Sequence, residues 1–383
     1  MMKKRIAILG STGSVGENAV KVAKAMGDAV QVTVLAAGSN AKRLAEQAAE
    51  LGATLAIVHD ESRGEELRKL TPGGIQTAAG AKAICDAVTR PDVDLVLVAI
   101  VGTAGLFPVI SAIKAHKTIA LASKEVMVMA GRLVTKLADQ EQVDIIPVDS
   151  EHSAIFQCLE GRAPDTVRTL WLTASGGPLR QASMEQIAAT TWEQAMKHPT
   201  WSMGPKITID SASLMNKALE ILEARWLFRV QPEKIDVLIH PQSIVHSMVQ
   251  FIDGAWLAHL SMPDMRFPIQ YAFTWPQRMN TGLPELDLPS LASLSFEKPD
   301  KSRFPSLDFA YHALRAGKTM PAVMNAANEI AVDRFRQGHI SFPAIWKIVE
   351  KTMNAHECLA DSDLDAILAA DSWARNYAAE ITF

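Results

Sequence analysis

The stretch RIAILGSTGSVGENAVKVA, residues 5–23, decides the fold. An apolar β-branched run over 6–9 leads into Gly10, Gly13 and Gly16, and then into a helical pattern over 15–26. Glycines at this place allow a tight strand-to-helix turn and close approach to a pyrophosphate, which the unpaired amides and dipole of the helix start would hold. The spacing is G-x-x-G-x-x-G rather than G-x-G-x-x-G, so an unliganded glycine turn remains open as the alternative. Its place in the first strand–helix–strand unit favours the nucleotide.

Working outward, short apolar runs at 30–36, 54–58, 95–100, 118–121 and 145–148 alternate with helical patterns such as 15–26 and 40–51. Strands apolar on both faces belong in a parallel sheet covered by helices. The second run ends in VLAAGSN with no Asp or Glu placed to grip a ribose hydroxyl. Gly38, Ser39 and Asn40 instead offer small donors, with Lys42 and Arg43 behind them, which favours NADP over NAD. The two cations also suit the solvated face of the next helix.

IIPVDSEHSAIF, residues 145–156, ends the sixth run in Asp149, Ser150, Glu151 and His152. In extended backbone Asp149 and Glu151 would face one point beyond the strand's carboxyl end. Equally, Asp149 or Ser150 would cap a helix through 155–159, with Glu151 at its positive end. A second cluster, DSASLMNKALEILEARW at 210–226, reads as one helix with Met215, Leu219, Leu222 and Trp226 on its apolar side. Asn216, Lys217 and Glu220 share another face, and Ser211 and Ser213 lie near its start. An ordinary polar face with a capped start is the competing reading. Converging acids need a counter-charge, because two like charges about 4 Å apart repel by about 4 kcal/mol at an effective dielectric near 20. An all-oxygen set suits Mg²⁺ or Mn²⁺ rather than zinc. Between the clusters, Ser175, Gly176 and Gly177 suit a phosphate nest or hinge, and His198 and Trp201 lie in a Pro- and Gly-rich stretch that suits a flap or an anchored surface loop.

The 383 residues are 48% hydrophobic with a net charge of −4, enough for several cores and without the clustered basic face that nucleic acid requires. Three cysteines far apart make neither a disulfide framework nor a zinc knuckle. The basic start lacks a signal-peptide core, and the uncharged run 95–110 is shorter than the roughly 18 residues of a membrane span. A cytoplasmic protein without membrane or nucleic-acid partners is expected. IVHSMVQFIDGAWLAHLSM predicts an antiparallel hairpin around Asp253 and Gly254. Five prolines from Pro276 to Pro305 mark an extended linker, and 325–336, 342–354 and 364–377 predict a helical end.

GSTGSVG, ASKE, PVDSEHSAIFQ, SGGP, HPTWSMG, DSASLMNKALE, LIHPQSIVHSMV, PDMR and NAANEIAV together resemble the 1-deoxy-D-xylulose 5-phosphate reductoisomerase family, in the expected order. The resemblance implies an α/β chain: an NADP-binding Rossmann-like parallel-sheet domain (1–148), an α+β catalytic, metal and dimerisation domain (149–276), a linker (277–304) and a C-terminal helical domain (305–383). It implies a homodimer that uses NADPH and Mg²⁺ or Mn²⁺ on a sugar phosphate, for isoprenoid precursor biosynthesis. Asp149, Glu151 and Glu220 resemble metal ligands, and Ser175, Ser211, Asn216 and Lys217 the groups that hold the substrate phosphate. Lys124, Ser150 and His198 resemble groups around the substrate backbone, with Trp201 and Met203 on the flap. Gly10, Thr12, Gly13, Ser14, Val15, Gly38, Ser39, Asn40, Ser123, Glu125 and Gly204 resemble cofactor contacts. Ser39 stands where some members have Lys, Ser123 where Asn is common, and Pro205 where a basic residue is frequent.

Overall fold

The computed structural model describes residues 3–201, 203–361 and 363–383. The chain forms two compact units, Met1–Val126, Val134–Ser153 and Asp264–Pro284 in the first, and Met127–Leu133, Ala154–Pro263 and Glu285–Phe383 in the second.

In the first unit, strands β1 (Lys4–Leu9), β2 (Val30–Ala37), β3 (Leu55–Val58), β4 (Gln76–Ala79), β5 (Leu95–Val98), β6 (Thr118–Leu121) and β7 (Ile145–Pro147) alternate with helices α1 (Ser14–Met26), α2 (Ala41–Leu51), α3 (Gly64–Leu70), α4 (Ala81–Val88) and α5 (Leu106–Lys114). The seven strands lie parallel in the order β4-β3-β2-β1-β5-β6-β7. Side chains from Ile6 to Leu9 and from Leu95 to Val98 are fully buried, as strands covered on both faces require. The edge strand β4 has no counterpart in the sequence reading, because QTAA is only half-buried and carries no apolar run. Helix α6 (Lys124–Gln140) follows β6, and α7 (Ser150–Leu159) follows β7.

The sequence pattern places 264–276 with the middle domain. In the structure, α12 (Arg266–Thr274) belongs to the first unit, where it packs on α1 and beside β6 and β7 and buries Ile269, Ala272 and Phe273. Lys4 Nζ donates to the Trp275 carbonyl at 3.1 Å.

The second unit holds β8 (Val167–Ala174), β9 (Ile235–Ile239), β10 (Val245–Phe251) and β11 (Trp256–Leu260) in the order β11-β10-β8-β9, with only β8 and β9 parallel. The expected hairpin joins β10 to β11: Gly254 takes φ 90°, and Asp253 accepts from the Ala255 amide at 2.9 Å. Helices α8 (Met184–Ala188), α9 (Trp192–Ala195), α10 (Pro205–Ala212) and α11 (Met215–Leu227) lie between β8 and β9. The end of the chain is α13 (Ser306–Ala316), α14 (Met320–Arg336), α15 (Ala344–Ala355) and α16 (Leu364–Glu380). Helix α14 is buried over most of its length against α15 and α16, and its alanines at 322, 326, 327 and 331 allow close helix approach. The proline-rich stretch before α13 is pinned where Glu297 pairs with Ile239 and Phe296 stacks on His240 at 4.8 Å.

The expectation of one continuous helix over 210–226 is corrected. Leu214 takes φ 58°, which ends α10 and starts α11 on a new axis, so Ser211 lies in the last turn of one helix and Ser213 caps its end. The extended-backbone option at Asp149–Glu151 is likewise corrected, since Ser150 and Glu151 lie in the first turn of α7 and the Asp149 carbonyl accepts from the Ser153 amide at 2.8 Å.

Candidate active site

The glycine turn is built by contact. Gly10 takes φ 84°, and a Cβ there would lie 2.3 Å from the Ala99 carbonyl oxygen. A Cβ at Gly16 would lie 2.2 Å from the Gly10 carbonyl oxygen, so only glycine lets α1 press onto its own turn. Gly13 occupies the N-cap position, and among the described residues no side chain caps α1. The amides of Ser14 and Val15 therefore head an uncapped helix start beside Thr12.

At the end of β2, Gly38 and Ser39 are exposed, and Asn40 caps α2 by accepting from the Arg43 amide at 3.1 Å. Arg43 is engaged by neighbouring acids. Its guanidinium donates to both oxygens of Glu17 at 2.7 and 2.9 Å and to Glu50 at 3.1 Å. Those hydrogen bonds hold the Glu17 carboxyl below the ordinary carboxylate range. Lys42 remains exposed. Ser123 is buried with its hydroxyl donated to the Ile100 carbonyl at 2.5 Å, and Glu125 is buried in the first turn of α6.

Strands β6 and β7 are neighbours, so their carboxyl ends bring the start of α6 beside the start of α7. There Lys124, buried, reaches Asp149 Oδ2 at 2.5 Å. Ser150 donates its hydroxyl to Glu151. His152 Nδ1 lies 3.8 Å from Asp149. The first unit thus gathers Lys124, Asp149, Ser150 and Glu151 at the carboxyl ends of β6 and β7.

In the second unit β8 runs into Ser175, Gly176 and Gly177. Gly177 takes φ 67°, and a Cβ there would lie 2.6 Å from the Ser211 carbonyl oxygen, so the turn rests on the end of α10. His198 joins the two serines: its Nε2 lies 3.1 Å from Ser175 Oγ and 3.1 Å from Ser211 Oγ. Its Nδ1 accepts from the backbone amides of Thr200 at 3.2 Å and Trp201 at 2.9 Å. Two amide donors require a bare Nδ1, which puts the proton of the neutral ring on Nε2. Burial pushes the imidazole pKa down, in keeping with that neutral form. The half-buried Trp201 ring lies 6.4 Å from His246, and Gly204 heads α10.

On α11, Lys217 and Glu220 are both buried, at 3% and 0% side-chain exposure, and form an ion pair. Asn216 donates to the other oxygen of Glu220 at 2.5 Å. The three residues expected on one face are therefore a single hydrogen-bonded group, and the polar-surface reading fails because Lys217 and Glu220 are buried and Asn216 is half-buried. Sequence reading passed over Asp210 and Asn328, which lie in quoted motifs without a role assigned. Asn328 donates to Asp210 at 2.9 Å, and Asp210 pairs with Lys206 at 2.6 Å. Their separation of 118 residues leaves no local signal.

Comparison with known proteins covers both units. Family models match in three stretches: 1-deoxy-D-xylulose 5-phosphate reductoisomerase over residues 6–131, its C-terminal domain over 145–228, and DXP reductoisomerase C-terminal domain over 260–377. A 1-deoxy-D-xylulose 5-phosphate reductoisomerase of Prosthecochloris aestuarii is 50% identical over 380 residues, which cover 99% of this chain and 100% of that protein. One from Heliobacterium modesticaldum is 51% identical over 99% of this chain and 97% of its own. Among solved structures, the Zymomonas mobilis enzyme in complex with NADPH superposes with a TM-score of 0.93 at 42% identity, covering 98% of each chain. A DOX-P reductoisomerase in complex with NADPH, fosmidomycin and magnesium also gives 0.93, at 36% identity, covering 98% of this chain and 97% of its own.

Proposed function

The chain belongs to the 1-deoxy-D-xylulose 5-phosphate reductoisomerase family, and from that premise we infer how its residues rearrange and reduce 1-deoxy-D-xylulose 5-phosphate to 2-C-methyl-D-erythritol 4-phosphate. The enzyme is an NADPH- and divalent-metal-dependent oxidoreductase. The observation that carries this is identity of about half over essentially the whole chain, both sites included.

We assign Asp149, Glu151 and Glu220 as the metal ligands. In support, all three side chains are carboxylates, whose oxygens suit Mg²⁺ or Mn²⁺. Lys124 pairs with Asp149 and Lys217 with Glu220, so two of these acids already stand beside a cation. The bound ion supplies Lewis-acid stabilisation of the oxygen charge that develops as a carbon–carbon bond breaks and re-forms.

The remaining steps fall to the chain's own groups. Ser175, Ser211, Asn216 and Lys217 bind the substrate phosphate, giving remote binding energy that fixes orientation. The His198 Nε2 proton is already directed between Ser175 and Ser211. Lys124 and Ser150 stand beside the acids to orient the substrate's oxygens, and Trp201, with Met203, covers the site and excludes water. The turn of Gly10, Thr12, Gly13, Ser14 and Val15 holds the pyrophosphate, Gly38, Ser39 and Asn40 hold the 2′-phosphorylated ribose, and Ser123, Glu125 and Gly204 serve the nicotinamide end. The rearrangement itself moves no net electrons. Hydride from NADPH and one proton then convert the resulting aldehyde to an alcohol.

We further propose a homodimer in the cytoplasm. Among the described residues no helix is long and apolar enough to cross a membrane. Following NADPH oxidation with deoxyxylulose phosphate, with and without a chelator, tests the function. Oxidation that needs both substrate and metal is expected, and oxidation that survives the chelator would contradict the metal role.

A further inference from the structure

The anion cradle of the second unit is carried on two short supports, and both are held from the C-terminal helices. Ser211 lies on α10, eight residues long, and Asn216, Lys217 and Glu220 lie on α11. The elbow between them, at Ser213 and Leu214, has a left-handed residue that a free chain would not favour. Two buried polar contacts fix it. At one, Asn328 of α14 donates to Asp210 at 2.9 Å, with the two side chains 0% and 1% exposed. At the other, Ser306 of α13 donates to the Ser213 carbonyl at 2.7 Å, and the Trp346 indole of α15 donates to Ser306 at 2.9 Å.

Packing alone does not account for an asparagine at 328. Its carbonyl oxygen is buried without a partner among the described residues, a cost that leucine would avoid in the same space. What leucine would not supply is the amide donor to Asp210. That acid sits one residue before Ser211 and is buried and charge-paired with Lys206 within the same helix. Withdrawing the amide leaves an under-satisfied acceptor next to Ser211, and the cheapest relief is a shift of α10.

We propose that Asn328 is a positioning residue for substrate-phosphate binding: through Asp210 it fixes α10 so that the Ser211 hydroxyl stays within reach of His198 and Ser175. Ser306 and Trp346 brace the same elbow from the α11 side. The C-terminal helices thereby set the geometry of a cradle to which they contribute no ligand. This rests on the assignment of Ser211 to the phosphate.

The test is a double-mutant cycle on the full-length enzyme. Asn328→Leu should raise the KM for deoxyxylulose phosphate about tenfold, while kcat and NADPH affinity by fluorescence titration change less than about twofold. In a Ser211→Ala background, Asn328→Leu should add less than about twofold, because the hydroxyl it positions is gone. Trp346→Phe, which removes the indole donor to Ser306 and to the Ser213 carbonyl, should raise the same KM about threefold and serves alone if Asn328→Leu does not fold. An unchanged KM in these variants, equal weakening of both ligands, or a full tenfold effect on top of Ser211→Ala would overturn the proposal. Wild-type enzyme inactive on deoxyxylulose phosphate would instead overturn the assigned reaction.

Discussion

His198 shows how a single residue is committed by its surroundings. Two backbone amides occupy Nδ1, two serine hydroxyls face Nε2, and burial disfavours the charged ring. Nitrogen-detected NMR should find the neutral Nε2–H tautomer at neutral pH, and an Nδ1–H ring would contradict the geometry. The linkage has a definite sign. The folded-state pKa lies below the ordinary 6.5, so this group's stabilisation is complete above that value and is lost as pH falls through the lower folded one. Protonation would set an N–H on Nδ1 against the amides of Thr200 and Trp201, so the substrate KM should rise on the acid side. Lys217 is committed in a different way. Lys217→Ala leaves Glu220 buried without its ion pair, and should cost about 3–5 kcal/mol in unfolding free energy. It should also raise the KM for deoxyxylulose phosphate by about a hundredfold or more while NADPH affinity holds. Equal weakening of both ligands would refute the phosphate role. Lys217 and Glu220 were legible as a pair from their spacing. Arg43 was legible only as a cation near the ribose, since Glu17, which captures it, lies 26 residues away.

At the scale of elements, six of the seven strands of the parallel sheet could be read because each is an apolar run between glycine or polar breaks, whereas the edge strand β4 carries no such run. The glycine turn could be read as well, and its geometry yields a sharp expectation. Gly16→Ala puts a methyl carbon 2.2 Å from the Gly10 carbonyl oxygen, so the turn must shift, and NADPH affinity should fall about tenfold with the substrate KM little changed. Unchanged cofactor affinity would mean that the turn does not hold the pyrophosphate. The break at Leu214 was not legible, because apolar spacing continues across it while Ser306 and Trp346, which hold the Ser213 carbonyl, lie 93 and 133 residues beyond Ser213. The helical start at Ser150 was one of two open readings. It was settled by the Asp149 carbonyl, which takes the first bond of α7 rather than continuing the strand.

For the whole molecule, the least legible feature is the return of 264–284 to the first unit, which no local pattern encodes. The fully buried Phe273 shows that the return is structural, and Phe273→Ala should lower the unfolding free energy by about 3–5 kcal/mol, read by denaturant titration. A net charge of −4 gives the chain no general attraction for a phosphorylated substrate, so the proposed assignment relies on local cations such as Lys217 and on a divalent ion. The central claim we propose is that Asp149 and Glu151, two residues apart, and Glu220, distant in sequence, serve one ion. Its most direct test is Mn²⁺ titration of wild type and Glu220→Gln by electron paramagnetic resonance, with NADPH binding measured in parallel. The account predicts that the substitution removes the tight Mn²⁺ site and metal-dependent turnover while NADPH still binds; a Glu220→Gln enzyme that binds Mn²⁺ and turns over like wild type would contradict it.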